Sequence, residues 1–73
     1  MFGGIFLYER YELLKNELGL TDYRVSAETK ISTATLTSWK NGVYTPKTDK
    51  LIILANYFNV SLDYLVGRSD ERK

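Results

Sequence analysis

The sequence predicts an all-α domain of five short helices. Apolar residues recur at helical spacing near the start of the 73-residue chain and again in its last third. Hydroxyl side chains that favour N-cap positions, at Thr21, Ser32 and Ser61, each precede a further helical segment, and several segments end at glycine. These observations indicate one compact domain over residues 1–73.

Composition restricts the class of protein. Hydrophobic residues make up 44% and charged residues 26% of the chain, which is typical of a soluble globular protein. A chain of this length has a small core, so dimerisation would help its stability. Cysteine and histidine are both absent, which excludes disulfides and removes the commonest general base and metal ligand. We therefore expect no enzyme, no metal site, no cofactor and no small-molecule ligand.

The first seven residues, MFGGIFL, form an apolar N-terminal arm (residues 1–7). They lack the basic start and the cleavage site of a signal peptide, and they are too short to span a bilayer. We expect this arm to pack against the body of the domain or against a partner chain. The protein is accordingly expected to be cytoplasmic and not to contact a membrane.

Helix 1 is predicted from about Ile5 or Leu7 to Leu18. Gly19 ends it, because glycine tolerates the left-handed conformation that follows many helices. The packing face consists of apolar residues three or four positions apart: Leu7, Tyr11, Leu14 and Leu18. We expect this face to belong to the core.

Residues 22–40 are predicted to form two short helices joined by a tight turn. Helix 2 spans about 22–29 and helix 3 spans 33–40, with Thr21 and Ser32 as their N-caps. Such an arrangement is typical of a helix-turn-helix unit.

Helix 3 has two different faces. Leu36 and Trp39 lie three residues apart, which predicts that they anchor its inner side. Gly42 is the expected end of the helix. The outer side carries little except small hydroxyl and methyl groups, and Asn41 follows on the same side: Thr33, Ala34, Thr37, Ser38 and Asn41.

The last third of the chain predicts two more helices and a tail. Helix 4 is expected from about Thr48 to Tyr57, and Ser61 caps a short helix 5 over residues 62–66. The core face of helix 4 consists of Leu51, Leu54, Ala55 and Phe58. Residues 68–73 form a charged tail without an apolar side chain to bury.

The shape and charge of the middle segment favour DNA binding. A helix with its side chains is about 10–12 Å wide, which matches the roughly 12 Å major groove and exceeds the minor groove. Two helices joined by a short turn are an established way to place one helix in the major groove. Cations also outnumber anions between residues 20 and 50, although the net charge of the whole chain is only +1.

Three segments carry a family resemblance: GLT at 19–21, ISTATLTSWKNG at 31–42 and the closing run from Pro46 through LIILANYFNVSLDYLVGR to residue 68. Together they resemble the Xre family of helix-turn-helix regulators, which are similar to phage lambda and Cro-type repressors. The resemblance extends from residue 8 to 68. It implies a compact lambda-repressor-like bundle of five helices that acts as a transcriptional repressor and binds double-stranded DNA as a homodimer. The core that it implies consists of Val25, Ile31, Leu36, Leu51, Leu54, Ala55, Phe58 and Leu65.

Three positions depart from the family pattern. Asp22 replaces a glutamine that often contacts phosphate, and we exclude that contact because a carboxylate repels phosphate. Ser26 replaces a small apolar residue. Lys30 replaces the turn glycine, where a left-handed residue with a Cβ atom costs about 1–2 kcal/mol. Either the turn accepts this strain, or helix 2 extends and the turn changes shape.

These considerations assign roles to individual residues. The predicted base contacts are Thr33, Ala34, Thr37 and Ser38, whose methyl and hydroxyl groups suit thymine methyls and several base edges. The predicted phosphate contacts are Tyr23, Arg24, Lys30, Ser32, Lys40, Asn41, Tyr44, Thr45 and Lys47. The predicted dimer interface draws on four residues that could also belong to the core, and we expect a mixture of the two: Tyr57, Val60, Leu62 and Tyr64.

A second hypothesis is a protein-interaction module of the same fold, such as an antitoxin-like or regulator-binding subunit. Its contact surfaces would be the arm and the C-terminal helix, and the modest net charge favours this alternative. An enzyme is disfavoured, because neighbouring carboxylates such as Glu9 and Glu12 are not accompanied by a nucleophile or a histidine.

Overall fold

Five α-helices make up the part of the chain that the computed structural model describes, residues 8–73. They are α1 (Tyr8–Glu17), α2 (Asp22–Thr29), α3 (Thr33–Lys40), α4 (Thr48–Phe58) and α5 (Leu62–Leu65). This element order confirms the predicted all-α fold class. None of these described helices has the length and apolar character needed to cross a membrane. The arm over residues 1–7 and the expected start of helix 1 at Ile5 or Leu7 lie outside the described residues.

N-cap side chains begin α2, α3 and α5. The hydroxyl of Thr21 accepts the backbone N–H of Arg24 at 3.1 Å, and that of Ser32 accepts the backbone N–H of Thr35 at 3.1 Å. Ser61 caps α5 in the same way. Each bond satisfies an N–H that has no partner within its own helix. These local bonds explain why the three helices begin where the sequence predicts.

Three predicted helix ends need correction. Helix α1 ends before Leu18, and the turn at Gly19 (φ +66°) leaves Leu18 61% exposed. The prediction that Leu18 belongs to the core face is therefore wrong. Helix α4 extends one residue further than predicted, to Phe58, before Asn59 ends it in the left-handed conformation (φ +60°). Helix α5 ends one residue earlier than predicted.

The core lies where the helices meet: α5 packs against α1 and α4, and α2 packs against α3 and α4. Tyr11 is fully buried, and its ring centroid lies 5.7 Å from that of Trp39 and 5.9 Å from that of Phe58. This one side chain therefore connects α1 to both α3 and α4. The core residues implied by the family resemblance are all buried: Val25, Ile31, Leu36, Leu51, Leu54, Ala55, Phe58 and Leu65.

A polar contact fixes the start of α2 against α1. The Tyr11 hydroxyl donates to Asp22 Oδ1 at 2.7 Å, and Lys15 Nζ donates to the same oxygen at 2.9 Å. Burial opposes ionisation of Asp22, but the hydrogen bonds from Lys15 and Tyr11 outweigh it and lower the pKa of the carboxyl below its ordinary value. Asp22 is thus a structural link between two helices.

The turn between α2 and α3 contains a strained lysine. Lys30 adopts the left-handed conformation (φ +67°, ψ +13°), and its backbone N–H donates to Ser26 O at 2.9 Å. Helix α2 still ends at Thr29, so the first of the two alternatives stated above holds and the turn accepts the strain. The next residue, Ile31, is buried. Its burial offsets the cost of the left-handed backbone.

The charged tail, residues 68–73, is bound to the helices. Arg72 donates to both carboxylate oxygens of Glu17, at 2.9 and 2.7 Å, and these bonds lower the pKa of Glu17. Arg10 of α1 pairs with Asp70 at 2.8 Å. The guanidinium groups of Arg10 and Arg72 lie 4.3 and 5.2 Å from the ring centroid of Tyr64. The sequence predicts the charge of this tail but not its contacts with α1 and α5.

The first prediction concerns Asp22. Because its pKa is lower in the folded chain, its stabilising effect is fully present above the unfolded value of about 3.9 and is lost as the pH falls through the folded value. Asp22→Asn should therefore lower the free energy of unfolding by about 1–2 kcal/mol at pH 7, and by much less at pH 3. Urea unfolding from pH 7 to pH 3 measures both values. Glu71→Gln, which removes an exposed carboxylate, is the control, and a loss for Asp22→Asn that does not change with pH would contradict the assignment.

The second prediction concerns the strained turn. Lys30→Gly should raise the free energy of unfolding by about 1 kcal/mol, because glycine adopts a positive φ without a Cβ clash. Thermal unfolding should show an increase in Tm of roughly 4–8 °C. Lys30→Ala is the matched control, since it removes the same charge but keeps the Cβ atom. Equal Tm values for the two variants would show that the strain is absent.

Candidate nucleic-acid interface

The helices α2 and α3 with the turn between them form the candidate interface. Leu36 is fully buried and Trp39 nearly so, which confirms that they form the inner side of α3. Leu36 and Trp39 therefore hold α3 against the body of the domain while its other side remains available.

The outer side of α3 is exposed for most of its length. Thr33, Ala34 and Thr37 are exposed, and Ser38 is half-buried. The Ser38 carbonyl accepts the backbone N–H of Val43 at 2.9 Å, so the chain turns closely around the end of the helix. Small side chains on an exposed helix let its backbone approach another surface closely.

Ser32, a predicted phosphate contact, uses its hydroxyl in the fold. It accepts the N–H of Thr35 and lies 2.9 Å from the Thr35 hydroxyl. Ser32 itself is exposed at the N-terminal end of α3. Its cap bond keeps the first turn of α3 ordered, and its exposure keeps it within reach of a ligand.

Three lysines in or near α3 in the sequence lie outside the close ion pairs of the described residues. Among residues 8–73, the ion pairs within 4 Å involve Arg10, Lys15, Arg24 and Arg72 as cations. The remaining lysines of the predicted phosphate set are exposed and outside these pairs: Lys30, Lys40 and Lys47. Their ammonium groups give this surface its positive charge.

Arg24 differs from these lysines. Its Nε donates to Glu28 Oε2 at 2.6 Å, and the other carboxylate oxygen of Glu28 accepts the hydroxyl of Tyr57 from α4. The sequence prediction did not include this cluster. The i, i+4 spacing of Arg24 and Glu28 is a signal for the pair, but no local pattern indicates the contact with Tyr57, 29 residues away from Glu28.

The remaining predicted phosphate contacts lie at the edges of the interface. Tyr23, in the first turn of α2, is 78% exposed, and Tyr44, in the loop after α3, is 45% exposed. Asn41 and Thr45 are also exposed. Asp22, by contrast, directs its carboxylate to Tyr11 and Lys15 in the protein, which agrees with its exclusion from the phosphate set.

The predicted dimer residues occupy two kinds of position. Tyr57, Val60 and Leu62 are partly buried and pack against the edge of the core. Tyr64 is only 5% exposed and belongs to the core. Since its side chain is used within the monomer, we leave Tyr64 out of the dimer surface proposed below.

The fold and this site define a helix-turn-helix protein. A family model described as helix-turn-helix matches residues 11–65, and the chain belongs to this Xre-like helix-turn-helix family. The family and its regulator-named relatives are not enzymes, as the sequence predicts. Within the described residues, no cluster of acidic, histidine or cysteine side chains is suited to hold a metal ion.

Two similar proteins are named as transcriptional regulators. The chain is 30% identical over 67 residues to the HTH-type transcriptional regulator ImmR of Bacillus subtilis (strain 168), and the match covers 92% of this chain and 53% of that protein. Its fold is similar to the crystal structure of a transcriptional regulator from Listeria innocua, with a TM-score of 0.74 and 36% identity, over 88% of this chain and 60% of that one. The chain thus spans about half the length of the curated relative that it matches.

The third prediction separates the two roles of Ser32. Ser32→Ala should lower the free energy of unfolding by about 1 kcal/mol, because an N-cap acceptor is lost. Ser32→Asp should retain the stability of the original chain, since aspartate caps helices equally well. Thermal unfolding followed by circular dichroism measures both. An alanine variant as stable as the original chain would show that the cap contributes nothing.

Proposed function

We propose that this chain is a sequence-specific, DNA-binding transcriptional regulator that inserts α3 into the major groove. The observation that carries the proposal is the division of α3 into a buried side, Leu36 and Trp39, and an exposed side of small side chains. The dimensions of a helix and of the major groove support this placement. The names of the two similar proteins also support a regulatory function.

Base recognition is proposed for Thr33, Ala34, Thr37 and Ser38. None of these side chains forms the bidentate hydrogen bonds that arginine, asparagine or glutamine form with a base. Their methyl groups suit the thymine methyl, and their hydroxyls contact more than one base. Discrimination between sequences should therefore depend on methyl contacts and on the shape of the DNA.

Phosphate contacts are proposed on both sides of α3. The set consists of Tyr23, Arg24, Lys30, Ser32, Lys40, Asn41, Tyr44, Thr45 and Lys47, all of which are exposed. Exposed lysines outside close ion pairs are suited to this role, because each phosphate that they neutralise releases counterions.

A homodimer that represses by occupying an operator is the proposed working form. The two copies of α3 would lie about 34 Å apart, one turn of DNA, so that each reads one half-site. The proposed contact between copies is formed by Tyr57, Val60 and Leu62, which are only partly buried in the described chain. Action on cellular DNA makes a cytoplasmic location part of this proposal.

A protein-interaction module is the second candidate. Ile52 and Ile53 of α4 are adjacent in sequence and 43% and 38% exposed, and they are the surface proposed for contact with another protein. Gel filtration with and without duplex DNA at low salt distinguishes the candidates. A module that binds only proteins shows no shift with DNA.

The fourth prediction tests the DNA contacts directly. Binding sequences are selected from a random duplex pool, and fluorescence anisotropy then compares selected with random duplexes. Thr33→Ala combined with Ser38→Ala should reduce the preference for selected DNA by about fivefold, about 1 kcal/mol, and affect random DNA little. Lys47→Ala should weaken binding to all duplexes and reduce the slope of log K against log salt by about 0.9.

Controls separate these effects from changes in folding or in net charge. Arg68→Ala, in the segment after α5, removes the same charge as Lys47→Ala and should leave the salt slope unchanged. Ser32→Asp should fold normally but bind all duplexes more weakly, since it adds a negative charge beside the proposed phosphates. Unchanged affinity and selectivity in the α3 and Lys47 variants would refute the proposed function.

A further inference from the structure

The one basic side chain of α2 forms an ion pair with a carboxylate. Helix α2 has the sequence DYRVSAET, in which Arg24 is the only cation. Arg24 Nε donates to Glu28 Oε2 at 2.6 Å, one helical turn away. The Glu28 carboxylate is held from the other side by the hydroxyl of Tyr57 on α4. Both of its oxygens therefore have partners, from two different helices.

These hydrogen bonds favour the charged form of Glu28. The bonds from Tyr57 and Arg24 lower the pKa of its carboxyl, so Glu28 carries its negative charge at neutral pH. The side chains of Arg24 and Glu28 are 63% and 40% exposed, so the pair is accessible to solvent and to ions. Arg24 and Glu28 together carry no net charge, whereas each lysine around α3 carries one.

We propose that Glu28 is an intramolecular competitor of DNA phosphate for Arg24, and that it thereby lowers the affinity of the interface for every DNA sequence. This inference rests on the function proposed above. A phosphate that approaches Arg24 must displace Glu28 or share the guanidinium with it, and in both cases a negative carboxylate lies beside the phosphate. Tyr57 strengthens the competition, because it restricts the rotation of Glu28 away from Arg24.

The test removes the charge of Glu28 and keeps its shape. Glu28→Gln should increase affinity for selected and random duplexes alike, by about twofold to fivefold, which lies within the range expected for an exposed ion pair. The slope of log K against log salt should become steeper, by up to about 0.9, because Glu28 no longer competes with phosphate for Arg24. Fluorescence anisotropy over a salt series measures both quantities, and circular dichroism verifies that the variant is folded.

A double variant shows whether the effect acts through Arg24. In the Arg24→Ala background, Glu28→Gln should change affinity by less than twofold, because the residue for which the carboxylate competes is absent. Glu17→Gln is the matched control. It removes the same charge from another exposed carboxylate that is paired with an arginine, Arg72, and it should leave DNA affinity unchanged.

Two results would overturn the inference. Unchanged or weaker binding by Glu28→Gln would show that the carboxylate does not compete for Arg24, and a gain that persists in the Arg24→Ala background would show a general charge effect. If the original chain binds duplexes and either result is obtained, only this inference fails. If the original chain binds no duplex at all, the proposed function fails and this inference fails with it.

Discussion

The hydrogen bond from the Tyr11 hydroxyl to Asp22, with the burial of the Tyr11 ring, is the contact on which the position of α3 depends. The hydroxyl holds the first turn of α2 against α1, while the ring packs against Trp39 of α3 and Phe58 of α4. Four helices therefore meet at one side chain. Because burying a hydroxyl without a partner costs about 1–3 kcal/mol, Tyr11 requires Asp22. The family position that often contacts phosphate is thus used here inside the protein.

The strained turn follows from the same geometry. Helix α2 is fixed at its start by Asp22 and in its middle by the buried Val25, so the chain has little freedom in where it must turn towards α3. Ile31 must also reach the core, and Ser32 must be extended to cap α3. Lys30 lies between the end of α2 and Ile31, whose positions are both constrained. Its backbone adopts the left-handed conformation that connects them. The lysine retains an exposed cation at the edge of the interface, which a glycine does not supply.

The sequence predicts those features that are determined locally. The bounds of α2 and α3 match the predicted ones because an N-cap hydroxyl and the following turn of helix are only three residues apart. The prediction for Leu18 is wrong because helical spacing of apolar residues continues past the residue at which the chain turns. The contacts of Asp22 and Arg72 were not predictable, since their partners lie on other elements and are brought together only by the fold. For the candidate site, the sequence predicts the buried and exposed sides of α3, and the assignment of individual DNA contacts stays a prediction.

The distribution of ion pairs bears on the proposed recognition of DNA by a chain with a net charge of only +1. Arg10, Arg24 and Arg72 are each paired with a carboxylate, whereas Lys30, Lys40 and Lys47 around α3 lie outside the close pairs formed among residues 8–73. Lysine attracts phosphate as a point charge, while arginine also binds it through a planar fork with fixed geometry. An interface whose cations outside close pairs are three lysines is expected to bind non-specific DNA weakly, because few phosphates are neutralised. If α3 enters the groove as proposed, weak general attraction to DNA increases the relative weight of the fit between its small side chains and the groove, and so of sequence and shape.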